Sequence, residues 1–216
     1  MKSIRYFLLS IILILLAGPL SGFEYHGLDG EVGFLWKHND GYDTEPGDSG
    51  PDRLTFIPGI SAYFTFDDHW FFKPALFIYT QTLQYLPQRE YTIPVDYSHI
   101  DSMSVLGVLL DPAFGYQWTI GEKHHIGVQA GPGLNFQFPL WGPGKDDRNA
   151  MLRSLMKEVF YINMGAWYYN PMTERFGFTL KTQVCLPLYN AWTDRELPFS
   201  DGLMILGMVG IRVIVQ

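Results

Sequence analysis

Seven charged residues, Asp29, Glu31, Lys37, Lys73, Asp111, Lys181 and Arg212, stand where large apolar residues alternate with small or polar ones, and all seven fall on the polar parity. Successive side chains of an extended chain point to opposite faces. These charges therefore share a face whose reverse is apolar. A buried charge without a partner is costly, but three carboxylates and four cations can satisfy one another. The chemistry open to this set is ion pairing, read as a plug that holds strand register, with a polar gate for a small solute as the alternative.

Metal and nucleophilic chemistry find less support. His124 and His125 are adjacent on a strand edge and point to opposite faces, while His26, His38, His69 and His99 are scattered, with no pair at metal-ligand spacing. Cys185 is the single cysteine, which leaves no thiolate site and no internal disulfide. Asp40, Asp43, Glu45 and Asp48 alternate in one loop but lack the twelve-residue pattern of a calcium hand. No metal, cofactor or catalytic residue is assigned.

Positioning such a face requires strands, and the period-two pattern supplies eight of them. They run roughly over 25–37, 54–66, 70–84, 102–119, 126–138, 159–169, 176–188 and 203–216. The fifth is the cleanest, with Ile126, Val128, Ala130, Leu134, Phe136 and Phe138 set against Gly127, Gln129, Gly131, Gly133, Asn135 and Gln137. Connections around Asp67-Asp68-His69, Gly121–His124 and Asn170–Glu174 are short. Those over 38–53, 85–101, 139–158 and 189–202 are long and rich in Gly, Pro and Asp. Short and long joins alternate strictly, so all long loops leave one end of an up-and-down barrel, and strands one and eight must pair to close it. Closure brings Arg212 toward Asp29 and Glu31.

Composition says which solvent such a barrel meets. The chain is 47% hydrophobic and 16% aromatic but only 17% charged, against roughly 25% charged in a soluble domain. Its polar parity is Gly, Ser, Thr, Asn, Gln and Tyr rather than the Lys and Glu of a water-facing surface. Aromatic residues gather at both strand ends, as interfacial girdles do. Residues 1–22 carry Lys2 and Arg5, an apolar run over 6–16 and a small-residue stretch, which reads as an export signal preceding a barrel over 23–216. The run is too short to span a bilayer as a helix. Loss of the segment would remove two of the 15 basic residues and none of the 22 acidic ones, and so acidic a chain excludes nucleic acid as a partner.

Strand count, loop alternation and girdles together resemble the small eight-stranded outer-membrane proteins of the OmpW, OmpX and OmpA-barrel kind. The resemblance covers 23–216 and implies an all-β fold, an eight-stranded antiparallel up-and-down transmembrane β-barrel in the bacterial outer membrane, with outer-membrane lipid as a partner. It implies no ligand. Two features depart from the pattern: the chain ends in Gln216 rather than an aromatic residue, and Pro58, Pro74, Pro112, Pro132 and Pro187 lie within strands. Bulges or local breaks are expected at these prolines.

The resulting expectation is a non-enzymatic barrel that either binds or passes a small apolar solute or meets an extracellular ligand through its loops. In the third long loop Met151, Leu152, Leu155 and Met156 have helical spacing and suggest a short amphipathic helix on the barrel mouth or on a partner. Two alternatives stand beside this reading. One is a lipid A-modifying enzyme using residues of the Ser98-His99 and Asp101-Ser102 kind; the other is a soluble periplasmic lipocalin-like binder.

Overall fold

The computed structural model describes residues 22–38, 54–86, 91–94, 102–121, 123–141, 149, 152–153, 155–188 and 202–215. They form an all-antiparallel sheet with strands β1 (Glu24–Lys37), β2 (Thr55–Thr65), β3 (Trp70–Leu86), β4 (Tyr91–Pro94), β5 (Ser102–Ile120), β6 (His124–Trp141), β7 (Phe160–Pro171), β8 (Phe176–Pro187) and β9 (Met204–Ile214). Neighbours follow the order β2-β1-β9-β8-β7-β6-β5-β3-β4, and a β2–β3 pairing closes the ring. Eight strands make the barrel. The ninth, β4, is a short strand within the second long connection that pairs with the top of β3 from Leu83 to Leu86 and extends one edge beyond the wall. The seam between β1 and β9 runs without a slip from Gly27↔Ile214 to Lys37↔Met204.

The parity read from the sequence is the parity of the wall. Leu28, Val32 and Phe34 on β1, Val128 on β6 and Ile205, Val209, Ile211 and Val213 on β9 are exposed, whereas Asp29, Glu31, Gln129, Met208 and Arg212 at intervening positions are buried. Apolar residues thus face outward around a closed wall, which only lipid can solvate favourably. Rings stack along the short-turn end of the outer face, with Phe72 against Phe114 at 4.6 Å and Trp70 edge-on to Tyr116 at 5.1 Å.

Glycines on the luminal parity have a packing role. Phe77 lies over Gly59, Tyr79 over Gly107, Phe71 over Gly115 and Trp167 over Gly127, each ring paired directly across the ladder with its glycine. A Cβ at any of these four glycines would run into the ring. Eight strands enclose only a narrow interior, so a large ring fits where its neighbour has no side chain. Gly107→Val should displace Tyr79, break its 2.8 Å bond to Asn135 and cost about 1–3 kcal/mol through overpacking. A lowered urea midpoint of the folded barrel would register it, and an unchanged midpoint would contradict this packing.

Prolines 74, 112 and 132 fall in one row: Pro74 pairs with Pro112, and Pro112 stands level with Pro132. The β5–β6 ladder is interrupted there, between Leu110↔Leu134 and Phe114↔Ala130. Pro58 holds its place opposite Val32, but on its other side the β2–β3 ladder begins only at Gly59↔Phe77. Pro187 likewise stays opposite Tyr161, while the β8–β9 ladder ends at Cys185↔Met204. Bulges appear away from the prolines, at Tyr25/Gly27 and Ser104/Val105.

Short turns are held by side chains. Asp67 accepts hydrogen bonds from the backbone N–H of His69 at 2.7 Å and of Trp70 at 2.6 Å. Those bonds hold its carboxyl below the usual carboxylate range, so they favour the ionised turn and weaken only as pH falls through that lowered value. Thr173 Oγ1 accepts from Arg175 and Phe176 in the same way. Gly121 adopts φ +64° in the β5–β6 turn, a conformation that favours glycine.

Candidate functional site: the occupied lumen and its mouth

β1 and β9 place Asp29 directly opposite Arg212. The guanidinium grips the carboxylate with Nε at 2.6 Å from Oδ1 and Nη2 at 3.0 Å from Oδ2. From β3, Lys73 Nζ reaches Asp29 Oδ2 at 2.8 Å and Glu31 Oε1 at 2.6 Å. Two carboxylates and two cations from three strands thus form one network. Below the guanidinium, toward the short turns, lie the rings of Tyr63 at 3.7 Å, Tyr169 at 4.5 Å and Trp167 at 5.5 Å. Such a stack suits the flat, weakly hydrated guanidinium. Tyr63 Oη donates to Gln117 Oε1 at 2.6 Å, and Gln117 donates to the Asp68 carbonyl, which links the cage to the β2–β3 turn.

A second cluster lies across the lumen. Lys181 Nζ on β8 donates to Asp111 Oδ2 on β5 at 2.8 Å, and Asn163 Nδ2 on β7 donates to Asp111 Oδ1 at 2.9 Å. The ammonium also sits 4.9 Å from the Phe77 ring centre. Beyond the ionic layers, toward the long loops, the lumen turns apolar, with Leu35, Ile57, Phe77, Tyr79, Leu109, Tyr161, Cys185, Met204 and Leu206 packed in one cluster.

At the long-loop mouth Lys37 donates to Glu158 at 2.9 Å, both side chains 3% exposed or less. Glu158 precedes β7 and is not on the strand parity, so alternation did not identify it as luminal. With it, the described buried charges balance as Asp29, Glu31, Asp111 and Glu158 against Lys37, Lys73, Lys181 and Arg212. Tyr63 and Tyr169, which cage Arg212, lie on the luminal parity and carry no charge, so alternation places them inside without marking them as partners of the guanidinium.

The third-loop residues separate. Leu152, Arg153, Leu155, Met156 and Lys157 are helical. Leu155 is 1% exposed and packs with Leu83, Met103 and Val105, while Met156 is 55% exposed and Leu152 half-buried. Met151 lies outside the described residues, as do Ser98, His99 and Asp101 and the whole of the expected export signal up to residue 21.

What this arrangement can do chemically is bind itself. Among the described residues no three His, Cys, Asp or Glu side chains gather to hold a metal. At the short-turn end a cavity of about 320 Å³ opens between Glu24, His26, Asp67, Asp68 and Gln117. His26 Nε2 is hydrogen-bonded to Thr65 there at 2.7 Å.

No protein-family model matches the chain, and no curated protein matches it in sequence. Solved structures do match in shape. Neisserial surface protein A aligns at 12% identity with a TM-score of 0.52, over 90% of this chain and 98% of that one. Ail, the attachment invasion locus protein of Yersinia pestis, solved in complex with the heparin analogue sucrose octasulfate, aligns at 11% identity with a TM-score of 0.49, over 88% and 98%. The Neisserial match, with the closed wall and its apolar exterior, establishes the fold as that of the small eight-stranded outer-membrane β-barrels.

Proposed function

We propose that this outer-membrane barrel is exported by its N-terminal segment and works at the cell surface through its four long loops, with a lumen that serves as structure and neither passes solutes nor catalyses a reaction. The occupied lumen carries this reading. Its eight described buried charges are matched four to four, and Phe71, Phe77, Tyr161, Lys73 and Lys181 are among the largest side chains lost from solvent. Eight strands enclose room for little more than such side chains or one small ligand. Paired, caged ions hold strand register, and an apolar layer above them bars water and ions.

The long loops are left as the surface available to a ligand outside the cell, and the apolar outer wall as the surface that meets lipid. Purified barrel reconstituted in planar bilayers should give no discrete conductance, and proteoliposomes should show no flux of hydrophilic or hydrophobic solutes beyond that of empty vesicles. Reproducible conductance or solute-selective flux would overturn the closed lumen and restore the gate. Unchanged lipid A mass spectra in cells expressing the protein and its His99→Ala variant are expected as well; a modification that depends on His99 would make the protein an enzyme.

A further inference from the structure

Of the described ion pairs in the interior, four join one strand to another. Asp29–Arg212, Asp29–Lys73, Glu31–Lys73 and Asp111–Lys181 all tie wall to wall. Lys37–Glu158 differs, because Lys37 ends β1 while Glu158 belongs to the loop segment that precedes β7. Three residues before Glu158, Leu155 enters a cup formed by Leu83 of β3 and Met103 and Val105 of β5, all 1% exposed or less. The intervening backbone is compact, with Glu158 N–H donating to the Leu155 carbonyl at 3.2 Å. Asn135 N–H donates to the Val159 carbonyl at 2.8 Å, so the β6–β7 ladder takes over one residue after the clasp.

We propose that the helical segment bearing Leu155 is a releasable plug in the extracellular mouth, held by Leu155 as apolar anchor and Lys37–Glu158 as ionic clasp. Neither attachment is part of the barrel's hydrogen-bonded ladder, so both can let go while the wall stays intact. Lys37 ends its strand at the mouth, where its long side chain can turn outward to water once Glu158 leaves. Release uncovers the Leu83, Met103 and Val105 cup without opening a pore. The apolar layer below, from Leu35 and Leu206 to Tyr161, belongs to the wall and remains packed. The device therefore exposes a hydrophobic recess to the outside and keeps the lumen sealed.

The inference rests on the surface reading in one respect, that the third loop faces outward. A membrane-impermeant maleimide applied to intact cells separates the two claims. Met156→Cys, exposed on the plug's outer side, should label rapidly; failure to label would strike at the orientation. Met103→Cys should label slowly, because the plug covers it. Adding Glu158→Gln to Met103→Cys should speed labelling by about tenfold or more, since the clasp is then a lone buried ammonium. Adding Lys37→Met with Glu158→Leu instead should keep labelling slow, an apolar pair being able to replace a buried ionic one.

Native Cys185, fully buried in the apolar layer below the cup, monitors the wall and should stay unlabelled throughout, with bilayer conductance still absent. Equal Met103→Cys rates with and without Glu158→Gln would overturn the clasp. Labelling of Cys185 alongside Met103→Cys would overturn the plug by showing that the barrel loosens as a whole. Should Glu158→Gln fail to reach the membrane, Leu155→Ala tests the anchor in the same way, with faster Met103→Cys labelling expected and an unchanged rate overturning the proposal.

Discussion

Replacing Asp29 by alanine is expected to destabilise the folded barrel by about 3–5 kcal/mol, because it removes the one carboxylate that, among the described residues, is shared by two buried cations, and leaves Arg212 without its charge partner. Arg212 loses both of its charge-assisted bonds, at 2.6 and 3.0 Å, and Lys73 loses one of two, at 2.8 Å. The surrounding rings of Tyr63, Trp167 and Tyr169 can stack on the guanidinium but cannot neutralise it. Urea unfolding followed by the gel-mobility difference between folded and unfolded barrel measures the effect. A midpoint within error of the parent would show that the network contributes nothing to folding. The paired change Asp29→Leu with Arg212→Met supplies the contrast: it removes both charges and leaves Lys73–Glu31 in place, so it should cost far less than Asp29→Ala. Equal losses would mean that shape at these positions matters and charge does not.

Val209→Arg should impair insertion and lower stability by about 2–4 kcal/mol, the cost of a cation facing lipid near the bilayer midplane. Val209 is the middle residue of β9, is 45% exposed on the outer face, and lies between Val32 of β1 and Leu180 of β8. In water an arginine at an exposed strand position would be nearly neutral. The size of the penalty therefore reports the solvent of the outer wall. Equilibrium unfolding in phospholipid vesicles is the measurement, with Val209→Thr as a milder companion. A loss well under 1 kcal/mol for Val209→Arg would place this face outside the hydrocarbon.

Much of this architecture was legible because a strand's period is two and a barrel has only two faces. Once Phe34 and Val209 face out, Asp29 and Arg212 must face in, and closure must pair their strands. Glu158 was not legible. It lies before its strand, where no alternation applies, and only the fold of the third loop brings it to Lys37. The short strand β4 was missed for a related reason: four residues are too few to show a period, and their pairing with the top of β3 is a tertiary contact. The prolines divide the same way. Their places in strands could be read directly, but that three of them share one row depends on register between strands.

The amino-acid sequence by itself determined the eight strands of the wall, the luminal parity, the alternation of short and long connections and the solvent these imply, since each follows from local periodicity and side-chain polarity. Tertiary structure alone decided which partner each charge takes, which glycine each ring covers and what closes the mouth. Those are contacts between strands far apart in the chain, and their distances are set by how eight strands stagger and pair around a narrow interior.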